Sequence, residues 1–158
     1  MMKPEIIIYT DGAASGNPGP GGYGAVLTYG GYEKELSKGF RKTTNNRMEL
    51  LAVIVALEAL KNDGCIVTVV SDSKYVIDAV EKGWLKDWQK KDFKKKKNPD
   101  LWKRFLKVYN KHNVMFQWVK GHSNHPFNER ADKLAVQAYK SGNLDIDEYY
   151  EQTETIQE

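Results

Sequence analysis

Ile6-Ile7-Ile8-Tyr9-Thr10-Asp11-Gly12 reads as a buried β-strand that carries a carboxylate to its C-terminal end. Five of the six residues from Ile6 to Asp11 are β-branched or aromatic, the composition of a strand interior. Gly12 then frees the chain to turn. Beyond it, Ala13 to Gly22 reads as a Gly/Pro loop, and Tyr23 to Tyr29 as a second strand. Gly30-Gly31 marks a two-residue hairpin turn, and Tyr32 to Phe40 makes the returning strand. Gly19 to Gly24 matches G-x-G-x-x-G, but that pattern has to open a helix to hold a dinucleotide, and here a strand follows.

Thr43-Thr44-Asn45-Asn46-Arg47-Met48-Glu49 opens the longest helix, capped by Thr44 or Asn45 and expected to run to about Lys61. Its core, Leu50 to Leu57, is apolar on almost every side, so a sheet and further helices must enclose it. Cys65 to Ser71 is a continuous apolar strand of the buried parallel type, with Asp72 directly after it. Ser73 to Glu81 reads as a short helix. A further helix starts at Asn98-Pro99-Asp100, with Asn98 as cap. Val114 to Val119 is a fifth strand, and Phe127 to about Ser141 the last helix. The order predicts a mixed α/β fold, part antiparallel meander and part right-handed parallel crossovers, with helices on both faces of one sheet.

The 158 residues are enough for one domain with a real core. The single cysteine, Cys65, excludes an internal disulfide framework and a multi-cysteine zinc site, and is expected to be a small core hydrophobe. No N-terminal signal is visible and no apolar run is long enough to span a bilayer, so a cytoplasmic protein without a membrane partner is expected. Nothing suggests an oligomer, and a monomer is expected. The net charge of +3 hides an asymmetry. Asp145, Asp147, Glu148, Glu151, Glu154 and Glu158 carry all the charge after residue 142. In 1–142, 24 Lys and Arg face 15 acids (21 less these six), a balance of +9. A basic body suits a polyanionic partner, and residues 143–158 read as a solvated, flexible acidic tail.

Taken singly, each candidate acid has a blander reading. Asp11 before Gly12 suits a turn, Glu49 a helix dipole, Asp72 a helix cap, and Asp132 a solvated helix position. Their arrangement argues otherwise. Asp11 and Asp72 each end an apolar strand, and the carboxyl ends of parallel strands are where α/β sheets place ligands. Glu49 enters a helix that must be buried, and Asp132 borders the packed face Ala131, Leu134, Ala135. Acids gathered near protein need a partner; Lys or Arg could serve, but several acids at one point more naturally signal Mg²⁺ or Mn²⁺, which take oxygen ligands.

Tyr9-Thr10-Asp11-Gly12, Asn17 to Gly24, Thr43 to Glu49, Asp72-Ser73-Lys74-Tyr75-Val76, Trp118-Val119-Lys120-Gly121-His122 and Asn128-Glu129-Arg130-Ala131-Asp132 together resemble type 1 ribonuclease H, in particular bacterial ribonuclease HI. The motifs are long, keep their order and cover nearly the whole chain. The resemblance implies a ribonuclease H-like fold with a five-stranded mixed sheet, three antiparallel strands then two parallel. It implies a catalytic domain over 1–142 that hydrolyses the RNA strand of RNA·DNA hybrids, leaving 5′-phosphate and 3′-hydroxyl ends. It also implies two Mg²⁺ ions, with Mn²⁺ as a substitute, held by Asp11, Glu49, Asp72 and Asp132. By the same resemblance, Asp11 bridges the ions and His122 moves protons or assists product release. His125 is expected to fix its loop by hydrogen bonding, and His112 to lie on the surface.

Trp84 to Lys97 sets Trp84, Trp88 and Phe93 among seven lysines. The bland reading is an amphipathic helix with a solvated lysine face. A run such as Lys94-Lys95-Lys96-Lys97 nevertheless repels itself unless a polyanion is near, and aromatic residues among basic ones suit a nucleic-acid groove. The resemblance makes this block the grip on the DNA strand, with Trp84 and Trp88 lining a sugar-phosphate channel and Lys90, Lys91 and Lys94 to Lys97 beside it. It gives Asn17, Thr44, Asn45, Asn46, Tyr75 and Asn98 to phosphate or minor-groove contacts. Lys42 stands where an arginine is frequent, and Phe93 where a tryptophan is. Two other classes fit the same residues: a catalytically silent nucleic-acid binder, and a nuclease or recombinase that cuts DNA on the same fold.

Overall fold

The computed structural model describes residues 5–121 and 125–157. The elements are β1 (Glu5–Ala14), β2 (Gly19–Tyr29), β3 (Tyr32–Thr43), α1 (Asn45–Glu58), β4 (Ile66–Ser71), α2 (Lys74–Glu81), α3 (Trp84–Lys90), α4 (Pro99–Tyr109), β5 (Asn113–Trp118), α5 (Pro126–Lys140) and α6 (Glu148–Gln157). The sheet order is β3-β2-β1-β4-β5. β1 pairs antiparallel with β2, and β2 with β3. β1 with β4 and β4 with β5 are parallel. This is the mixed five-stranded sheet expected from the sequence.

The two faces are covered differently. α1 lies across one face and is itself backed by α4, so Met48, Leu50, Ala52, Val53, Ile54, Ala56 and Leu57 are all buried. That double cover explains why the helix is apolar all round. α5 covers the other face along β1, β2 and β3, packing Ala131 against Tyr9, Val26 and Val70. It comes so close that a Cβ on Gly24 would lie 2.3 Å from the Ala131 carbonyl oxygen. The glycines of the G-x-G-x-x-G match therefore sit in β2, and at Gly24 the missing side chain admits a helix backbone.

Several local expectations change. β2 and β3 extend well into the Gly/Pro stretch and toward Thr43, because β2 keeps pairing with β1 as far as Gly21↔Ala14. α1 stops at Glu58, short of Lys61, with Ala59 as its cap. Asn98 makes no side-chain cap hydrogen bond, because its amide is committed elsewhere. Cys65 is half-buried at the rim of the core, and its thiol donates to the Asn62 carbonyl at 3.1 Å. His112 is also half-buried, its Nδ1 accepting from the Cys65 amide at 3.2 Å.

The largest departure is the C-terminus. The tail expected to be solvated and flexible forms a bridge from Asp145 to Phe40 and then helix α6 against β3. Its hub is Arg47, only 3% exposed. The guanidinium donates to both carboxylate oxygens of Asp147 at 2.7 and 2.9 Å and to both of Asp100 at 2.8 and 2.9 Å. Two forks on one buried cation tie α1, α4 and the tail together, and leaving any one of the charges unpaired there is strongly destabilising. No helix among the described residues is long and apolar enough to cross a membrane.

Candidate active site

The sheet register brings the first two acids together. β1 and β4 run parallel with Tyr9 opposite Val70. Two residues further on, where side chains return to the same face, stand Asp11 and Asp72. Ser73 caps α2, its hydroxyl accepting from the Val76 amide at 3.3 Å, so the helix does not need Asp72 for that purpose. Glu49 reaches the same point from α1. A Cβ on Gly12 would lie 2.3 Å from the Glu49 backbone nitrogen, so α1 rests directly on the end of β1. Glu49 is buried and accepts from the Gly12 amide at 3.0 Å. Oxygens of Asp11, Glu49 and Asp72 all lie within 4.8 Å of one another. Asp132, carried by α5, lines the same pocket of about 210 Å³ and approaches Asp11 closely enough for a side-chain hydrogen bond. The structure thus gathers all four acids around one pocket.

Their electrostatics follow from crowding out of water. Burial pushes the Asp11 carboxyl up from 3.8 to about 7, the nearby Glu49 carboxyl lowers it, and the Asp72 and Asp132 charges raise it further. Burial also holds Glu49 well above the ordinary carboxylate range, with the Asp11 charge adding to it. Like charges packed this closely favour a shared proton or a cation. Glu49 Oε2 is buried and has no hydrogen-bond partner among the described residues. An orphaned carboxylate oxygen amid two further acids is the donor set a hard divalent cation takes.

The pocket walls include residues to which the sequence reading assigned no role. Asn128 and Lys120 line it, and the Asn128 amide is buried without a described partner. The Trp118 indole donates to the Asp72 carbonyl at 3.2 Å, and the Val119 amide to the Ser71 carbonyl at 3.0 Å, fixing the β4 end. His125 packs its ring at a tilt against Tyr9 and Phe127, and its Nδ1 has no hydrogen-bond partner among the described residues. His122, the expected proton carrier, lies outside the described residues.

The expected nucleic-acid residues fall into two groups. Asn45 Oδ1 accepts from the Ala14 amide, and Asn17 Oδ1 from the Asn45 amide, so these two asparagines interlock beside the carboxylates. A second cleft, of about 600 Å³, is lined by Asn17, Thr44, Asn46, Arg47, Lys95, Lys96, Lys97, Asn98 and α6. Thr44 caps α1. Asn98 accepts from Arg47 at 3.2 Å and donates to the Tyr75 hydroxyl, which also accepts from the Trp102 indole. Trp88 packs edge-on against buried Trp102, with Lys96 5.2 Å from its ring centre. Trp84, Lys90, Lys91 and Lys94 are exposed on and after α3 and line neither pocket. Lys42 sits at the end of β3, in an ion pair with Glu154 of α6.

The chain is similar in sequence and in fold to known ribonucleases H. The sequence model of the RNase H family matches residues 3–140. A ribonuclease H of Desulforamulus reducens is 60% identical over 148 residues, 90% of this chain and 92% of that protein. LC9-RNase H1, a type 1 RNase H with the type 2 active-site motif, is 32% identical with a TM-score of 0.80, over 89% of this chain and 74% of its own. LC11-RNase H1, solved in complex with an RNA/DNA hybrid, is 31% identical with a TM-score of 0.63, over 86% of this chain and 97% of its own.

Proposed function

This chain belongs to the RNase H family and is a ribonuclease H, and on that premise we propose that it hydrolyses the RNA strand of RNA·DNA hybrids at Asp11, Glu49, Asp72 and Asp132 with two divalent ions, Mg²⁺ with Mn²⁺ as a substitute. The observation that carries the reading is the cluster itself, three carboxylates within 4.8 Å with an orphaned oxygen among them. Asp11, Glu49, Asp72 and Asp132 would hold the ions between them, their oxygens being the ligands the pocket lends. Bound divalent ions supply a more acidic attacking water and neutralise the charge that develops on the leaving oxygen.

The chain's own residues do the rest. Gly12 donates its amide to Glu49 and keeps that carboxylate aimed at Asp11. Asn17, Asn45 and Asn46 offer uncharged donors and acceptors, as the shallow RNA minor groove and its 2′-hydroxyls require. Thr44, Lys42 and Asn98 suit a DNA-strand phosphate, and Trp84, Trp88 and the lysines of 90–97 suit its sugar-phosphate path. His122 moves a proton to or from the reacting phosphate. The products are a 5′-phosphate and a 3′-hydroxyl, and the protein acts as a cytoplasmic monomer.

The test offers labelled hybrid, double-stranded RNA and double-stranded DNA, each with Mg²⁺, Mn²⁺ or chelator. Cleavage confined to the hybrid, dependent on metal and lost in Asp11→Asn is the expected result. Cutting of the DNA duplex, or hybrid binding with no product, contradicts it.

A further inference from the structure

The last residues of β3 are Arg41, Lys42 and Thr43, and each gives its side chain to an acid from the C-terminal segment. Arg41 forks onto Glu151 at 2.8 and 2.9 Å. Lys42 pairs with Glu154 at 2.9 Å. The Thr43 hydroxyl donates to Asp147 at 2.7 Å. Asp147, Glu151 and Glu154 are four and then three residues apart, so they form one stripe along a helix face. The stripe runs beside the cleft lined by Thr44, Asn98 and Lys95 to Lys97, and Tyr149, Thr153 and Glu154 line the same cleft. A row of carboxylates thus lies on a row of two cations and a hydroxyl.

The two ends of the stripe differ. Asp147 and its partner Arg47 are buried, which fixes the start of α6. Arg41 and Lys42 are 58% and 45% exposed, so those two pairs lie in water and hold weakly. A carboxylate and a phosphate offer the same pair of anionic oxygens to a guanidinium or ammonium, so one can replace the other.

We propose that helix α6 is a built-in competitor for the hybrid: Glu151 and Glu154 occupy Arg41 and Lys42 in the free enzyme and must yield them when the DNA strand's phosphates enter the cleft. This rests on the reading that the DNA strand lies along Lys42, Thr44 and Asn98. The acids lower the affinity for hybrid and blunt its salt dependence, because each phosphate contact at β3 replaces an existing ion pair.

The test measures hybrid binding by the full chain in chelator across a salt series, with a thermal melt to show that each variant is folded. Glu151→Gln with Glu154→Gln is expected to bind roughly three- to tenfold tighter at low salt, from two weak surface pairs. Its log–log salt slope should steepen by up to about 2, from two newly available cations, so the gain fades at high salt. The charge-matched control is Glu33→Gln with Glu35→Gln, at the far end of β3, where both acids pair with Arg130. It should leave affinity and slope near the parent values. Lys42→Ala tests the underlying reading and should weaken binding. If Lys42→Ala weakens binding but the Glu151/Glu154 pair changes nothing, or changes no more than the control, the competitor is refuted and the groove stands. If Lys42→Ala is silent, the groove reading fails and takes the competitor with it.

Discussion

Gly12→Ala isolates the contact on which the carboxylate cluster depends. The added Cβ would stand 2.3 Å from both the Glu49 nitrogen and the Met48 carbonyl carbon, where ordinary contact begins at 3.4 Å. Both neighbours are helix backbone, so no side chain can swing away; α1 must lift from β1 by about 1 Å. Overpacking of this kind costs about 1–3 kcal/mol. For a chain of this length that lowers the melting temperature by roughly 2–12 °C. The lift also stretches the 3.0 Å bond from the Gly12 amide to Glu49 and draws Glu49 away from Asp11. Misplacement by about 1 Å at a reacting centre costs on the order of 100-fold in rate. Initial rates of hybrid cleavage at saturating Mg²⁺, read beside calorimetric melts, give both numbers. Gly31→Ala is the matched control, since a Cβ there meets nothing within 4 Å. A Gly12→Ala enzyme with parental rate and melting temperature would refute the proposed seating of α1 on β1.

Two further outcomes follow from the buried charges. Arg47→Met strands Asp147 and Asp100 and should cost about 3–5 kcal/mol in chemical denaturation; adding Asp147→Asn should recover part of it, and a loss under 1 kcal/mol would show the hub to be dispensable. Burial holds Asp11 at about 7, so the metal-free folded protein keeps a proton that the unfolded chain releases near 3.8. The folded state therefore binds more protons across that window, and stability is full below it and lost as pH rises toward 7. Melts from about pH 4 to 8 should show this fall in chelator, and saturating Mg²⁺ or Asp11→Asn should flatten it; a metal-free curve without the fall would contradict the crowding.

The sequence carried the parts of this molecule that are local. The β-branched run Ile6 to Thr10, Gly30-Gly31 and the all-apolar run after Glu49 each report one element and its cover, and from these the sheet and the burial of Glu49 could be read. The start of β2 at Gly19 to Gly22 was hidden because glycine is a turn signal unless a neighbour needs the space, and Ser15 at Gly19, Ala13 and Thr43 at Gly21 and Ala135 of α5 at Gly22 supply that need only in three dimensions. The docked tail was hidden for a different reason. Its acids look like a solvated end until Arg47 is known to face Asp147 from 100 residues away, a pairing that no local pattern encodes. Asn98 misled through the same hub: its position suits a cap, but Arg47 and Tyr75 take its amide. Asn128 left no periodic trace, since only its position on the pocket wall sets it apart.

Whether Asp11, Glu49, Asp72 and Asp132 bind divalent ions as a group is read by titrating Mn²⁺ in a calorimeter. Near pH 6, below the raised Asp11 pKa, wild-type protein with non-cleavable hybrid should take up Mn²⁺ and release protons, seen as a heat that varies with buffer ionisation enthalpy. Asp11→Asn should lose most of the uptake and the proton release together. Equal uptake by both proteins, with no buffer dependence in either, would contradict the account.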